Sequence, residues 1–291
     1  MRTHTVPAIR ASKVRGGSDP LVMVTAYDAP GARQAHAAGV DLILVGDSLA
    51  MVVLGYDDTL RVSIDDIAHH TGAVARGLAS SPAEGPRPLV IGDLPWMSYH
   101  TTVDDAVRNS ATLVRAGAQA VKLEGGRKRV PMIEAIADAE IPVMGHLGLT
   151  PQSVHAVGGF KVQGRQHHAA LELVRDAKAL EAAGCFSIVL EAVPHEVARL
   201  VTEAVDVPTV GIGAGRDCDG QVLVYHDVLG IEQNIRPKFV RRYAELGEAA
   251  TGALRAYAAD VRGRRFPADA ETYHLSAEVA ESLSLYGSPS A

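Results

Sequence analysis

Short apolar runs rich in β-branched residues recur along the chain and alternate with segments of helical period. Runs of this kind, bounded by turn residues, are typical of buried parallel strands. The amphipathic segments between them predict helices, and the clearest covers 166–184, where Leu173, Ala177 and Leu180 share one face. The apolar runs predict eight strands, at 21–26, 41–46, 88–94, 120–126, 141–148, 185–193, 207–213 and 220–230.

Eight strands separated mostly by helices predict an α/β fold, a (β/α)8 TIM barrel, because each connection is long enough for a right-handed crossover. The alternative is a doubly wound open sheet. No GxGxxG opens a helix after the first strand, and carboxylates recur at several strand ends rather than at one switch point, so this alternative is disfavoured.

No internal repeat or linker divides the chain, so we expect a single barrel domain over 21–266 that includes C-terminal helices. Residues 1–20 form an N-terminal segment, and 267–291 form a tail expected to be partly disordered. The last helical pattern runs from Lys238 to about Arg262. The long, Gly-rich segment 149–165 is interpreted as a lid or substrate loop.

Helix boundaries carry local signals as well. Ser63 precedes an apolar-periodic segment and is expected to cap it, with Asp65 and Asp66 favouring the positive helix end.

Composition narrows the functional classes. The chain has 291 residues, of which 47% are hydrophobic and 4% aromatic, and its net charge is −6. We therefore expect no nucleic-acid partner and no attraction to an anionic membrane.

Cys185 and Cys218 form no disulfide framework or CxxC pair. Residues 1–20 lack the apolar core of a secretory signal, and no apolar stretch approaches the ~20 residues of a membrane span, so a cytoplasmic protein is expected.

Four predicted strands end on a carboxylate: Asp47, Asp93, Glu124 and Glu191. In a closed parallel barrel these ends meet at one mouth, where like charges need a cation or a shared proton. The first three follow consecutive strands and provide only oxygen ligands, which suit Mg²⁺ before Mn²⁺ and do not suit zinc. Taken singly, each of these acids has an alternative interpretation, in which it caps the N-terminus of the helix that follows its strand.

Lys122 lies two residues before Glu124, so both side chains point into the barrel. A buried lysine needs an ionic partner, either Glu124 or Asp93. It also suits a substrate carboxylate or developing negative charge. A Schiff-base role is disfavoured because surrounding acids raise the pKa of a lysine.

Glu191 is the expected general base, because its strand lies opposite the three-carboxylate group. His146 ends the fifth strand and is read either as a titratable site residue or as a structural hydrogen-bonding group. The glycines of GIGAG (211–215) are read either as a phosphate-binding turn or as a tight turn that needs positive φ.

Longer motifs link these residues. From about residue 20 to 235 the chain resembles the 3-methyl-2-oxobutanoate (ketopantoate) hydroxymethyltransferase family. The motifs that carry the resemblance are VTAYDAPGARQAHAAGVDLILVGDSLAMVVLGYDDTL, GDLPWMSY, VKLEGG, GHLGLTPQSV, GGFKVQGR, VLEAVP and VGIGAGRDCDGQVLVYHDVLG. It implies a (β/α)8 barrel that transfers a one-carbon unit from 5,10-methylenetetrahydrofolate to 3-methyl-2-oxobutanoate, giving 2-dehydropantoate. It also implies a homodecamer.

The resemblance further implies roles for individual residues. Asp47, Asp93 and Glu124 would bind Mg²⁺, and Glu191 would be the base of an enolisation followed by aldol-type addition. The substrate contacts would be Asp47, Ser48, Asp93, Lys122 and His146.

Two departures from the family pattern concern loops. Arg61 stands where the family usually has proline, and Trp96 stands where phenylalanine is common, which suggests a changed pocket size. Two alternatives to the transferase remain. One is a related Mg²⁺-dependent barrel lyase or mutase acting on another 2-oxo acid, and the other is a binding barrel without catalysis.

Overall fold

Eight parallel strands close into a barrel. The structure is a computed structural model that describes residues 3–231 and 237–284. Each strand pairs with the next, and the last pairs with the first, so the described sheet has no free edge and the (β/α)8 prediction is confirmed. The strands are β1 Leu21–Thr25, β2 Leu42–Val45, β3 Leu89–Asp93, β4 Ala120–Glu124, β5 Val143–Gly148, β6 Cys185–Glu191, β7 Thr209–Ile212 and β8 Gly220–Leu223.

Helices follow the strands, and the helix after Ser63 begins where its capping signal predicts. Ser63 caps its helix reciprocally: its Oγ accepts from the Asp66 N–H at 3.2 Å, while Asp66 Oδ2 accepts from the Ser63 N–H at 2.9 Å. In the described residues the helices are α1 Val6–Arg10, α2 Ala29–Ala37, α3 Leu49–Val52, α4 Ile64–Ala79, α5 Val103–Ala116, α6 Val130–Asp138, α7 Val154–Val157, α8 His167–Ala182, α9 His195–Ala204, α10 Tyr225–Val228, α11 Leu246–Arg262 and α12 Ala277–Ser284.

The barrel interior changes from apolar to ionisable along β3. On β3, Leu89 and Ile91 belong to the interior core, whereas Val90 between them packs in the layer between strands and helices. Asp93 has the parity of Leu89 and Ile91, so it faces the interior one layer higher. At the opposite, N-terminal mouth the buried Ile9 of α1 joins this interior core and closes the barrel from below. The charged layer is thus confined to the C-terminal mouth.

A buried ion pair fastens the N-terminal segment to the barrel. Lys13 Nζ lies 2.8 Å from Asp219 Oδ2, and it also donates to the carbonyl oxygens of Thr202 at 2.8 Å and Val207 at 3.0 Å. Asp219 in turn accepts from the backbone N–H of Thr209 at 2.9 Å. The sequence pattern did not indicate this pair, because its two members are about 200 positions apart.

The chain forms two compact units, Met1–Tyr243 and Ala244–Ala291. The helix expected from Lys238 begins only at Leu246, so that expectation is wrong by eight residues. The cause is tertiary: the Tyr243 N–H donates to the Val228 carbonyl at 2.8 Å rather than to a carbonyl one turn earlier. The Phe239 ring packs against Gly213, where an added Cβ would come within 2.8 Å of the ring.

The C-terminal unit contains α11 and α12, joined by a segment with a short 3₁₀ turn at Asp269–Glu271. Within the tail expected to be partly disordered, 267–291, the structure describes helix up to Ser284, and 285–291 lie outside the described residues. The boundaries drawn at 20/21 and 266/267 stay predictions. Within the part of the chain described, no helix combines the length and apolarity needed to cross a bilayer.

The Lys13–Asp219 pair generates a stability prediction. Lys13→Met should lower the free energy of unfolding by about 3 kcal/mol, because it leaves a buried carboxylate without its counter-charge. Chemical denaturation followed by circular dichroism measures this loss.

Arg15→Met is the matched control on the same segment. Arg15 pairs with Asp206, but its side chain is 48% exposed, so its loss should cost less than about 1 kcal/mol. Equal effects of the two substitutions would contradict the role assigned to Lys13.

Candidate active site

Three carboxylates lie side by side at the C-terminal mouth of the barrel. Asp47 sits in the turn after β2, while Asp93 and Glu124 are the last residues of β3 and β4. All three are buried, with exposed fractions of 5%, 1% and 3%. The backbone N–H of Asp47 donates to Asp93 Oδ2 at 3.1 Å, so neighbouring strand ends share one hydrogen bond. The structure brings this predicted group together.

Lys122 supplies positive charge from within the group. Its Nζ lies 2.8 Å from Asp93 Oδ1 and 3.8 Å from Glu124 Oε1. Burial alone would lower the pKa of Lys122, but the carboxylates of Asp93, Glu124 and Asp47 outweigh burial and raise it above its ordinary value. The lysine is therefore charged at neutral pH, which is unfavourable for a Schiff-base nucleophile.

His146 connects the carboxylate group to Glu191. Its Nδ1 lies 3.3 Å from Glu124 Oε1, and its Nε2 lies 3.2 Å from Glu191 Oε2, although the second contact is poorly aligned for a hydrogen bond. Burial and the Lys122 ammonium lower the pKa of His146, but the two carboxylates outweigh them and raise it to about 9. His146 is thus a cation between two acids.

Glu191 ends β6, which lies opposite β2 in the strand order but only two strands from β4. Its side chain is 17% exposed, against 2% for Glu124, and it lines the central cavity. The next residue, Ala192, has φ of 47°, a left-handed conformation that turns the chain sharply after Glu191. Glu191 is the most accessible of the four acids, which suits proton transfer with a bound molecule.

The carboxylate group lacks sufficient positive charge. Burial raises the pKa of Asp47 well above its ordinary value, and the neighbouring Asp93 and Glu124 raise it further. Glu124 Oε1 is buried and accepts no hydrogen bond of good geometry. An all-oxygen group with an unsatisfied oxygen fits a hard cation such as Mg²⁺.

Among residues 3–231 and 237–284, however, no group of three His, Cys, Asp or Glu side chains is arranged to hold a metal ion. Mg²⁺ is commonly held by one or two carboxylates, with water and substrate oxygens filling the other positions. The arrangement fits that mode, and the set of three ligands stays a prediction.

Two polar residues that sequence reasoning did not single out complete the site. Gln152, 4% exposed, donates from Nε2 to Asp47 Oδ2 at 2.9 Å, and its backbone N–H donates to Glu124 Oε2 at 3.1 Å. Tyr99 donates to Gln152 Oε1 at 2.7 Å. Both occur within motifs of the family resemblance, GHLGLTPQSV and GDLPWMSY, but neither residue type by itself indicates a site.

A cavity of about 920 Å³ opens above the charged layer. Ser48 lines its wall and shares a hydrogen bond of 2.9 Å with the Tyr27 hydroxyl. The segment expected to be a lid contributes Phe160 and Lys161 to the mouth of the cavity, and Phe160 is 54% exposed. The expected substrate loop therefore lies at the cavity, as its position after β5 requires.

The glycines after β7 are explained by packing. Gly213 and Gly215 have φ of 64° and 83°, and a Cβ on Gly215 would come within 2.5 Å of the His195 ring. The ring occupies the space beside the turn, so the tight-turn reading is favoured over a phosphate site.

The two departures from the family pattern lie in the loops after β2 and β3. Arg61 stacks over the ring of Tyr56, 5.6 Å from its centroid, and Tyr56 lines the cavity. Trp96 is 41% exposed and is not one of the described residues that line the cavity. Cys185 and Cys218 are both free and buried.

Comparison with known proteins identifies the family. A family model described as ketopantoate hydroxymethyltransferase matches residues 3–269. The chain belongs to the ketopantoate hydroxymethyltransferase family. The match includes all eight strands and each candidate site residue named above.

Individual members of the family are similar over nearly the whole chain. The 3-methyl-2-oxobutanoate hydroxymethyltransferase of Syntrophobacter fumaroxidans (strain DSM 10017 / MPOB) is 53% identical over 281 residues, which cover 96% of each chain. The protein of the same name from Moorella thermoacetica (strain ATCC 39073 / JCM 9320) is 54% identical over 264 residues, covering 90% of this chain and 95% of that protein.

More distant solved structures share the fold alone. A phosphonopyruvate hydrolase superposes with a TM-score of 0.59 at 17% identity, covering 98% of this chain and 96% of that one. A 2,3-dimethylmalate lyase superposes with a TM-score of 0.57 at 17% identity, covering 98% of each chain. At this identity the likeness does not extend to the activity.

The excess negative charge predicts an unusual stability effect. Asp47→Asn should raise the free energy of unfolding of the metal-free protein by about 1 kcal/mol, because it removes a buried charge that faces two other carboxylates. Because folding raises the pKa of Asp47, the wild type loses stability as the pH rises above the ordinary value of 3.8. The advantage of the variant should therefore grow with pH from that point. Thermal unfolding in EDTA across the pH range measures it.

Asp93→Asn is the comparison. It removes the partner of the Lys122 ammonium and should destabilise the protein by about 3 kcal/mol. If Asp47→Asn destabilised the protein to the same degree, the account of the charge balance would be wrong.

Proposed function

We propose that this protein transfers a hydroxymethyl group from 5,10-methylenetetrahydrofolate to 3-methyl-2-oxobutanoate, giving 2-dehydropantoate, an early step toward pantothenate. The observation that carries the proposal is the family match over residues 3–269 together with relatives of that name at about 50% identity over nearly the full chain. The charged mouth of the barrel supports it, since the reaction needs a proton acceptor and stabilisation of negative charge on a 2-oxo acid.

Glu191 takes the proton from C3 of the oxo acid. Its position at the cavity and its greater exposure support this role, and the His146 cation 3.2 Å away orients the carboxylate. Loss of the proton leaves an enolate, whose C3 forms a bond to the methylene carbon of the folate as one of the two C–N bonds of that carbon breaks. Water then replaces the remaining C–N bond, which gives the hydroxymethyl group of 2-dehydropantoate, and the folate nitrogens take up protons to leave tetrahydrofolate. Charge that develops on the substrate lies near the Lys122 ammonium, which the surrounding acids hold in its charged form.

Asp47, Asp93 and Glu124 would hold Mg²⁺, because their carboxylate oxygens are the ligands that this ion prefers. When bound, the ion would polarise the oxo acid as a Lewis acid. Ser48 and Lys122 hold the carboxylate of the substrate and so orient the C3–H bond toward Glu191.

The wide cavity suits two substrates. The charged floor accepts the small oxo acid, and the remaining volume under Phe160 and Tyr56 accepts the larger folate. The homodecamer implied by the family resemblance, the cytoplasmic location and the absence of a nucleic-acid partner stay predictions.

Replacement of the base should separate proton abstraction from binding. Glu191→Gln should reduce the exchange of the C3 proton of 3-methyl-2-oxobutanoate in D₂O by about 10³-fold, a loss typical of a missing general base. Proton NMR follows the exchange without folate. Glu196→Gln, which neutralises an exposed acid on α9, is the control and should exchange normally. Normal exchange in Glu191→Gln would refute the assignment of the base.

Omission of each component tests the whole reaction. Purified protein should form 2-dehydropantoate only when 3-methyl-2-oxobutanoate, methylenetetrahydrofolate and Mg²⁺ are all present, and EDTA should abolish formation until Mg²⁺ is restored. Turnover of a 2-oxo acid without folate would favour the lyase or mutase alternative. Calorimetric binding of the oxo acid without any turnover would favour the binding barrel.

A further inference from the structure

We infer that Gln152 is a positioning residue that sets the orientation of the Asp47 carboxylate and, with Tyr99, makes the cation site depend on the loop that follows β5. This inference rests on the proposed function for its catalytic meaning. Its structural basis is that one residue bonds to the ends of three strands that carry the expected ligands: its side-chain amide reaches groups after β2 and β3, and its backbone N–H reaches the end of β4.

The orientation of the amide is determined by its neighbours. The NH₂ group lies 2.9 Å from Asp47 Oδ2 and 3.0 Å from the Leu94 carbonyl, and a carbonyl can only accept. Oε1 therefore faces the Tyr99 hydroxyl, which donates to it at 2.7 Å. Both amide protons and the oxygen have partners, so rotation would leave buried groups unsatisfied.

The partners of Gln152 link three strands. Asp47 follows β2, Leu94 follows β3, and the backbone N–H of Gln152 reaches Glu124 Oε2 at the end of β4 at 3.1 Å. Tyr99 reinforces the link, because its hydroxyl accepts from the Glu124 N–H at 3.1 Å. No other described side chain hydrogen-bonds to groups after both β2 and β3 in this way.

The link also couples the three strand ends to the loop that follows β5. Gln152 occupies the 3₁₀ turn Pro151–Ser153, at the start of the segment that carries Phe160 to the mouth of the cavity. A displacement of this turn would withdraw one hydrogen bond from Asp47 and another from Glu124 together. The position of the loop and the geometry of the carboxylates are therefore coupled through Gln152.

Substitution by methionine isolates the side chain. Gln152→Met keeps the length and volume of the residue and its backbone N–H, but removes the three side-chain hydrogen bonds. Outer partners of metal ligands typically contribute 10–100-fold to affinity. Calorimetric titration of the purified full-length variant with MgCl₂, without substrates, should therefore show Mg²⁺ affinity reduced by about 10-fold or more.

Gln119→Met is the matched control. Gln119 Oε1 accepts from the Val90 N–H at 3.1 Å near the start of β3, toward the N-terminal mouth of the barrel, whereas the carboxylates lie at the C-terminal mouth. This variant also loses a glutamine side-chain hydrogen bond, but its Mg²⁺ affinity should equal that of the wild type.

Proton exchange distinguishes positioning from general damage. In Gln152→Met the Mg²⁺ concentration for half-maximal exchange of the oxo acid should rise, while the rate at saturating Mg²⁺ should return to within about threefold of the wild type, because Glu191 is untouched.

Tyr99→Phe should raise the Mg²⁺ concentration for half-maximal exchange in the same way, but by a smaller factor. Adding it to Gln152→Met should cause less further loss than it causes alone.

Wild-type Mg²⁺ affinity in Gln152→Met, or an exchange rate that stays low at saturating Mg²⁺, would overturn the inference. Failure of the proposed function has a different signature. In that case the wild type would form no 2-dehydropantoate, while the difference in Mg²⁺ affinity between the Gln152 and Gln119 variants would remain.

Discussion

The burial of like charges at one mouth of the barrel is the constraint on which the site depends. Asp47, Asp93 and Glu124 are each at least 95% buried and lie at the ends of consecutive strands. Taking carboxylates out of water is unfavourable, and their mutual repulsion adds to that cost. Lys122 and His146 offset part of this charge, and the negative charge that remains is the reason a cation is proposed at this mouth.

Inside the barrel, the charged layer and the apolar core occupy different levels along the strands. Along β3 the interior changes from Leu89 and Ile91 to Asp93, so the ionisable groups occupy only the last layer. The N-terminal mouth is closed by Ile9 and by the Lys13–Asp219 pair, which is satisfied internally. One end of the barrel is therefore complete, whereas the other has unsatisfied polar groups suited to a ligand.

The local pattern of the chain was sufficient for much of the architecture. Strand β3 and the capped helix that starts after Ser63 were predictable because their signals lie within a few residues: β-branched runs and capping side chains. The prediction was wrong where distant contacts decide the backbone. The segment from Lys238 has a helical pattern, yet Phe239 packs on Gly213 and the Tyr243 N–H bonds to Val228, so the helix starts later.

The sequence by itself determined the repeating strands, the parity that sends Lys122 and Glu124 to the same face, and the recurrence of acids at strand ends. These properties depend on spacing, and spacing is local. Tertiary structure alone decided that His146 lies between Glu124 and Glu191 and that Gln152 joins three strand ends. Closure of the barrel brings these groups within hydrogen-bonding distance. Contacts between residues far apart in the chain leave no periodic signal in the sequence.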